Sequence, residues 1–364
     1  MKILVIGYMH SKYDKRVFRT VKMLAERCEV IYQYLTDKDE KESVEGNIRY
    51  VPVKYAKDGK TKYILEYFKR ISFDKVIFDL IRDSEYDVVY FHHFLASLPV
   101  KAFEVAKKRG KVVVYDIHEY HPENFLNSLT GVLKYLKEKV MWNIFEKQLR
   151  FSDKLIFVSK QMQEDVFEKL SIDKPYLIFP NYAESVFFSD RKEKEICIVG
   201  KTPRGISHEK EILIKLIANG FRLKLIGMDL DVFSDIPHEY KAFMPYDEMM
   251  KELSKCAFSL ISYSTIGYEN YKNDLFALPN KYYDSLAAGV PVIVKNTFVS
   301  MAREVESYKV GVVIDPKNVD ESVEKILKAY EGYNELVENI KKYQERFMLT
   351  WAKKDEFLEF ILKI

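Results

Sequence analysis

Short apolar runs alternate with helical segments along most of this sequence, and that alternation limits the fold more than any other feature. In the first half, the runs predicted to be strands are 2–6, 30–34, 48–53, 87–91, 111–116, 154–158 and 176–179. Helical periodicity fills segments between them, such as 64–82 and 99–109. Strands that alternate with helices form a parallel sheet with helices on both faces. The sequence therefore predicts an α/β fold whose ligands lie beyond the carboxyl ends of its strands.

The alternation restarts in the second half, which indicates a second domain. Strands are predicted there at 196–199, 222–226, 241–244, 258–261, 291–294 and 310–314. A chain of 364 residues suits two domains, because a single core rarely grows beyond roughly 250–300 residues. The polar, aromatic stretch 180–194 lacks periodicity and is predicted to link them. We predict an N-terminal domain at 1–180, a C-terminal domain at 195–345 and a C-terminal helix at 346–364.

Composition describes a globular protein, with 48% hydrophobic and 31% charged residues. No apolar run approaches the roughly 18–20 residues that a membrane span needs. Cys28, Cys197 and Cys256 lie far apart without metal-binding spacing, and we expect reduced core residues of a cytoplasmic protein. The net charge of +3 decides little, and we predict no nucleic-acid partner.

Two segments, 60–70 and 134–150, mix Lys and Arg with aromatic residues at helical spacing. Such segments can lie on an anionic membrane surface. They can equally be ordinary amphipathic helices that pack on a sheet. Both interpretations stay open, and the first predicts peripheral contact with the inner face of a membrane.

The stretch 277–294, ALPNKYYDSLAAGVPVIV, carries the most specific functional signal. Asn280 and Lys281, next to a proline, are typical of a helix start, and Gly289 suits the left-handed position after a helix. The beginning of a helix attracts phosphate through its free N–H groups and its dipole. One turn in, Asp284 offers a carboxylate for a pair of sugar hydroxyls. Taken alone, the stretch also fits an ordinary helix-to-strand unit.

This stretch resembles the nucleotide-binding signature of GT-B type glycosyltransferases of the group-1, mostly retaining, family. The resemblance implies two Rossmann-like parallel-sheet domains that face a cleft. It also implies that Asp284 holds the ribose of a nucleotide-sugar, where the family has glutamate. A second family glutamate, eight positions earlier, is Phe276 here, so the contact with the donor sugar is missing or moved. Asp274 and Glu269 lie nearby as substitutes.

A strand, a glycine and a helix predicted at 14–26 open the chain. The glycine, Gly7, lacks the second and third glycines of a dinucleotide fingerprint, so we predict no NAD or FAD site. The run DKRVFRTVKMLAE resembles the first helix of the same glycosyltransferase family. That resemblance implies that Gly7 lies in a turn that faces the cleft and contributes to donor binding.

The run YDIHEYHPENF places histidines and carboxylates directly after a predicted strand. Histidine beside a carboxylate can orient a hydroxyl, accept a proton or bind a metal ion. The run resembles the D-x-H-E loop on the acceptor side of the family's cleft. The resemblance nominates His118 as the residue nearest the anomeric carbon, with Asp116 and Glu119 as its catalytic partners. The alternatives are a zinc site, for which no third ligand is evident, and a loop of solvated histidines.

A glycine-bearing loop, GKTPRG, opens the second domain at Gly200. Lys201 and Arg204 are suited to a diphosphate because of their charge, and the family places an Arg and a Lys in this region. We expect Gly227 and Met244 to line the base pocket through backbone groups.

We predict no essential metal and no cofactor. Acid pairs with DxD spacing occur at 37–39 and 229–231, but pairs are expected by chance among 55 acidic residues. Lys201, Arg204 and the helix start at Asn280 would stabilise the charge that develops on a leaving diphosphate.

Together, these features predict transfer of a sugar from a UDP- or GDP-linked donor to a glycan or lipid-linked acceptor, in cell-surface polysaccharide synthesis. A UDP-sugar 2-epimerase would share the two-domain architecture. A non-catalytic nucleotide-binding partner subunit is the alternative that Phe276 supports.

Overall fold

The structure is a computed structural model that describes residues 1–55, 63–123, 130–190, 192–200, 209–227, 233–262 and 271–363. The chain divides into two compact units. Unit 1 comprises Met1–Phe179 with Trp351–Ile364, and unit 2 comprises Pro180–Thr350. Each unit contains a parallel sheet with helices, which confirms the predicted α/β fold with two Rossmann-like domains.

Unit 1 is built on an eight-stranded sheet over its described residues. Its strands are β1 (Lys2–Ser11), β2 (Glu29–Thr36), β3 (Ser43–Glu45), β4 (Ile48–Lys54), β5 (Val88–His92), β6 (Val112–Ile117), β7 (Lys154–Phe157) and β8 (Tyr176–Ile178). Their order is β3-β4-β2-β1-β5-β6-β7-β8, parallel except where β3 meets β4. Every residue of β5 is buried, as expected for a parallel strand covered on both faces.

The helices of unit 1 connect these strands, and one helix from the end of the chain joins them. They are α1 (Lys15–Ala25), α2 (Tyr63–Asp83), α3 (Pro99–Lys108), α4 (Gly131–Phe151), α5 (Lys160–Leu170) and α14 (Trp351–Leu362). Asp14 begins α1 by accepting a hydrogen bond from the Val17 N–H at 3.2 Å. Phe357 of α14 is buried against Phe179, with 4.7 Å between ring centroids.

Unit 2 has six strands over its described residues, all paired in parallel. They are β9 (Glu193–Val199), β10 (Arg222–Ile226), β11 (His238–Lys241), β12 (Cys256–Ile261), β13 (Val292–Lys295) and β14 (Gly311–Ile314), in the order β11-β10-β9-β12-β13-β14. The helices are α6 (Lys210–Ala218), α7 (Tyr246–Ser254), α8 (Lys272–Leu275), α9 (Asn280–Ala287), α10 (Val299–Tyr308), α11 (Val319–Glu331), α12 (Tyr333–Lys342) and α13 (Gln344–Phe347). Across the described ranges of both units, no helix combines the length and the apolarity that a membrane crossing requires.

Two elements differ from the sequence prediction. β1 continues past Gly7 to Ser11, but its pairing with β2 is interrupted between Ile6 and Ser11, and Tyr8 has a φ of +54°, so the chain departs from a regular strand next to the predicted glycine. A Cβ at Gly7 would lie 2.8 Å from the Gln33 carbonyl oxygen, so glycine allows close approach to β2 here. β11 ends at Lys241, where the predicted strand begins. As a partly exposed edge strand it lacks the apolar pattern on which the prediction relied, and Met244 lies in the following connection.

Candidate functional site

The carboxyl ends of three neighbouring strands bring a group of histidines together in unit 1. His10 lies near the end of β1, His92 ends β5 and is followed by His93, and His118 directly follows β6. These strands are adjacent in the sheet, which explains why positions more than 100 residues apart meet.

Asp116, near the end of β6, links these strands to α1. Arg16 donates from Nε and Nη2 to the Asp116 carboxylate, with distances of 3.0 and 2.7 Å to Oδ2 and Oδ1. The Tyr90 hydroxyl donates to Oδ2 at 3.0 Å, and His92 Nδ1 lies 3.2 Å from the same oxygen. Asp116 and Arg16 are both buried, so this is a charge pair removed from water.

The surroundings of Asp116 keep its carboxylate ionised. Burial alone would raise its pKa, but the Arg16 charge and the hydrogen bonds hold the pKa well below the usual value. The same surroundings keep the His92 ring uncharged. Burial disfavours its charged form and lowers its pKa to about 4, so its ring is neutral near pH 7.

His118 occupies the centre of the histidine group. Its ring centroid lies 5.2 Å from that of His10, 5.9 Å from that of His92 and 5.7 Å from that of His93. Its Nδ1 is 3.8 Å from Asp116 Oδ1, and neither ring nitrogen forms a hydrogen bond within the described parts of the chain. Both nitrogens are buried, so each lacks the hydrogen bond that a buried polar atom ordinarily makes.

The backbone after β5 is strained where it meets this group. His93 has a φ of +31°, which non-glycine residues rarely adopt. Its N–H donates to the Asp116 carbonyl at 3.3 Å, and its Nε2 lies 3.6 Å from Glu119 Oε2. Burial lowers the His93 pKa to about 4. The turn thus places His93 and Glu119 beside His118.

Three potential metal ligands lie within this group, because one ligand atom each from His92, Asp116 and His118 falls within 4.8 Å of the others. The charge environment does not fit a cation. The Arg16 guanidinium already neutralises the Asp116 carboxylate, and a metal ion there would face a second positive charge. The geometry is better suited to binding hydroxyl groups.

In unit 2, α9 carries the acidic residue that the sequence nominated. Asp284 is 4% exposed, and its Oδ1 accepts a hydrogen bond from the Tyr246 hydroxyl at 2.8 Å. Burial and the Asp284 charge raise the pKa of Tyr246, so this hydroxyl remains a donor. The helix begins as predicted near Asn280, and Gly289 has the expected left-handed backbone, with φ of +67°. Pro279 rather than Asn280 precedes the first helical residue.

Gly200 and Gly227 lie side by side at the carboxyl ends of β9 and β10. The Gly200 N–H donates to the Ile226 carbonyl at 3.0 Å. Gly227 has φ of +82°, and a Cβ on it would collide with the Gly200 carbonyl. Only glycine fits at position 227. The backbones of Gly200 and Gly227 therefore lie in contact at the carboxyl ends of β9 and β10. Lys201 and Arg204 lie in the segment 201–208, which is outside the described residues. Glu269 and the acid pair at 229–231 are also outside the described residues.

The remaining nominated residues lie near α9. Lys281 Nζ donates to the Ser262 carbonyl, just after β12, at 3.0 Å. Asn280 Oδ1 is buried and forms no hydrogen bond with the residues that the structure describes. Phe276 follows α8, and Asp274 within α8 is buried. Unit 2 therefore gathers a carboxylate, a lysine and a helix start at the carboxyl edge of its sheet.

Two family models match the chain, one on each side of residue 190. Residues 14–182 match Glycosyltransferase Family 4, and residues 199–355 match the Glucosyltransferase 3-like C-terminal domain. Both models describe glycosyltransferases, and the matches cover most of unit 1 and of unit 2. The chain belongs to the GT-B glycosyltransferases.

Solved structures show the same fold as this glycosyltransferase at low sequence identity. Sucrose-phosphate synthase from Thermosynechococcus elongatus has a TM-score of 0.70 and 11% identity, covering 100% of this chain and 98% of its own. HepE from Anabaena, in complex with UDP, has a TM-score of 0.67 and 12% identity, covering 100% of both chains. An alpha,alpha-trehalose-phosphate synthase (UDP-forming) from Burkholderia xenovorans, in complex with glucose-6-phosphate, has a TM-score of 0.66 and 9% identity, covering 99% of both. No curated protein matches the sequence.

Several residues that contact the nominated residues, or lie beside them, were not found from the sequence. Arg16 meets Asp116 across 100 positions, and Tyr246 meets Asp284 across 38. Glu209 and Lys295 form a buried pair at 3.1 Å in unit 2. No local spacing marks any of these pairs, because sheet topology alone brings their members together.

Proposed function

We propose that this glycosyltransferase moves a sugar from a UDP- or GDP-linked donor to a hydroxyl of a glycan or lipid-linked acceptor in cell-surface polysaccharide synthesis. The observation that carries the proposal is Asp284, a buried carboxylate held by Tyr246 one turn into α9. This position suits the two hydroxyls of a ribose. Gly200 and Gly227 offer a surface without side chains to the rest of the nucleotide.

The charge on the leaving diphosphate would be stabilised without a metal ion. Lys201, Arg204 and the start of α9 at Asn280 and Lys281 supply cations and backbone N–H groups for this role. Met244 would contribute to the base pocket from the connection after β11. Gly7 would contribute to donor binding from β1, where its lack of a side chain lets the strand pass close to β2.

Unit 1 would bind the acceptor and contribute the catalytic group. His118 has two buried ring nitrogens without a hydrogen bond among the described residues, and bonds to hydroxyls near the reacting carbon would satisfy them. Asp116 would hold its neighbours through Arg16 and His92, and Glu119 would act through His93. The solved relatives bound to UDP and to glucose-6-phosphate support this choice of ligand class.

Release of free nucleotide from UDP- and GDP-sugars tests the transfer step. We expect release from one nucleotide class, unchanged in EDTA, and at least tenfold slower in His118→Ala. His238→Ala, at a histidine on edge strand β11, is the matched control and should retain full activity. Nucleotide binding without release in the presence of varied acceptors would contradict the proposal. That result would favour the non-catalytic partner subunit, which Phe276 supports. Interconversion of UDP-sugars without transfer would identify an epimerase.

The acceptor proposal includes contact with a membrane surface, and α4 carries the supporting observation. The carboxyl-terminal half of α4 packs inward through Met141, Phe145, Gln148 and Leu149. At its amino-terminal half, Val132, Leu133, Leu136 and Val140 form an outer stripe on the opposite side, each more than half exposed. Large exposed apolar groups on one helix face indicate an interaction surface.

The charges around the outer stripe favour an anionic bilayer as its partner. Residues 131–142 contain three lysines, Lys134, Lys137 and Lys139, and one acidic residue. Lysines beside an apolar stripe are attracted to anionic headgroups while the stripe inserts. Pairing of two copies through α4 would instead bring their lysines together. The other basic–aromatic segment, 60–70, lies largely outside the residues whose side chains are described.

Co-sedimentation with vesicles tests this contact. We expect the unaltered protein to bind phosphatidylglycerol vesicles, more weakly at 0.5 M salt, and to ignore phosphatidylcholine vesicles. Val132→Ser with Leu136→Ser should lower the bound fraction at least fivefold. Val44→Ser is the matched control, because Val44 and Val132 are both 73% exposed. Equal binding by the control and the double variant would remove the membrane contact from the proposal.

A further inference from the structure

A second buried carboxylate lies at the carboxyl edge of the unit 2 sheet, and the proposed mechanism does not use it. Glu209 immediately precedes α6 and is 1% exposed. Its Oε1 accepts a hydrogen bond from the Ser262 hydroxyl and lies 3.1 Å from Lys295 Nζ. Its Oε2 is buried and has no hydrogen-bond partner among the residues that the structure describes.

The distribution of partners on Glu209 points to a ligand. The Lys295 pair explains how a charge can be buried there, since opposite charges compensate each other. It does not explain why both partners use Oε1. A buried carboxylate oxygen without a donor is destabilising, and a ligand that donates a hydrogen bond to Oε2 would remove that destabilisation.

The position of Glu209 separates it from the nucleoside. The strand order of the unit 2 sheet reverses at β9, which has β10 on one side and β12 on the other. Sheets of this kind bind ligands beyond the carboxyl ends of the strands where the order reverses. Asp284 and its partner Tyr246 lie on α9 and α7, whose buried residues share one hydrophobic core of unit 2. Glu209 precedes α6, whose buried residues belong to the other core of the unit, and it contacts Ser262, after β12, and Lys295, the last residue of β13.

The chemistry of the free atoms selects the ligand group. Glu209 Oε2 and Asn280 Oδ1 are both buried acceptors, so each requires an O–H or N–H donor. The phosphate groups of a nucleotide are acceptors and carry the same charge as Glu209. A sugar hydroxyl is neutral and donates, and Lys281 and Lys295 nearby offset the charge of an adjacent phosphate.

We propose that Glu209, oriented by Ser262 and Lys295, binds a hydroxyl of the sugar that the nucleotide carries. This assignment rests on the proposed nucleotide-sugar donor and deepens it. Asp284 then holds the ribose and Glu209 the transferred sugar, at two ends of one donor. The carboxylate supplies the polar contact that Phe276, an apolar side chain, cannot make.

Calorimetric titration with UDP, UDP-glucose, GDP and GDP-mannose tests the assignment. For the nucleotide class that binds, Glu209→Gln should weaken binding of the nucleotide-sugar at least fivefold and leave binding of the nucleotide within twofold. Glu209→Ala should have the same effect or a larger one. The matched control is Glu195→Gln. Glu195 is also buried and pairs with a buried lysine, Lys224, at 2.7 Å, but it lies near the amino end of β9.

Thermal unfolding should show that Glu195→Gln loses stability as Glu209→Gln does. Calorimetry should show that Glu195→Gln keeps its affinity for both the nucleotide and the nucleotide-sugar. Equal weakening of nucleotide and nucleotide-sugar by Glu209→Gln would overturn the assignment and make Glu209 a structural residue. No change with either ligand would overturn it as well. Absence of any nucleotide binding by the unaltered protein would overturn the proposed function, and the assignment with it.

Discussion

Asp116 connects three chain segments at the unit 1 site. It contacts α1 through Arg16 and β5 through Tyr90 and His92. Both members of the Arg16–Asp116 pair are buried, so removal of either charge leaves the other without compensation. Asp116 is therefore well placed to orient the histidines, and its carboxylate is largely occupied by protein partners.

The Arg16–Asp116 pair should dominate the response of unit 1 to mutation. We expect Asp116→Asn to lower the free energy of unfolding by about 3 kcal/mol, because a buried guanidinium loses its counter-charge. Asp153→Asn is the control, since Asp153 pairs with Lys107 at 2.7 Å but is partly exposed. It should cost about 1 kcal/mol or less. Urea titration measures both, and equal losses would contradict the importance of the buried pair.

The buried histidines should make stability depend on pH. His92 has a pKa of about 4 in the folded chain, below its ordinary value of 6.5. The unfolded chain therefore binds more protons between these values, and stability is lost as the pH falls from 6.5 towards 4. His93, with the same shift, acts in the same direction. The groups that face His92 are Asp116, His118 and His10.

The size of this effect follows from the shift. The lowering of the His92 pKa from 6.5 to about 4 corresponds to a contribution of about 3 kcal/mol to the free energy of unfolding. Urea titrations from pH 7.5 to 4.5 should show a flatter dependence in His92→Gln than in the unaltered protein. The same slope in both proteins would mean that His92 is not held neutral by burial.

At the scale of elements, α9 and its flanks were predictable, because the decisive signals are local. Proline before the first turn and glycine after the last mark both ends of the helix. The strand at 241–244 was predicted wrongly for the opposite reason, because β11 is an edge strand without an apolar pattern. The interruption of β1 after Ile6 agrees with a predicted break at Gly7, but no local signal marks the close approach of Gly7 to β2.

The contact between Gly200 and Gly227 should be intolerant of any side chain. Gly227→Ala introduces strain at φ of +82° and a collision with the Gly200 carbonyl. Gly110→Ala is the control, because Gly110 has φ of +70° but open space around it. The control should cost roughly 1–2 kcal/mol from strain alone, and Gly227→Ala clearly more. Thermal unfolding compares them, and equal costs would show that the two glycines are not in close contact.

At the scale of the whole molecule, the sequence predicted two Rossmann-like α/β domains, and each unit has a parallel sheet with helices. The alternation of apolar runs and helices was sufficient for the fold, because each strand and helix has its own local periodicity. Local periodicity could not predict which side chains pair with one another near the nominated residues. Arg16 meets Asp116, and Glu209 meets Lys295, only because the order of strands in each sheet brings distant segments together.

The nucleotide proposal depends on unit 2, whose nominated residues Asn280, Lys281 and Asp284 lie on one helix. The most direct test is calorimetric titration of the intact protein with UDP and with GDP, in the presence and absence of EDTA. We expect one nucleotide to bind, indifferent to EDTA, and at least tenfold more weakly to Asp284→Ala. Asp247→Ala, at an exposed carboxylate of α7, should bind normally. No binding of either nucleotide, or equal binding by Asp284→Ala, would contradict the assignment of unit 2 as the donor site.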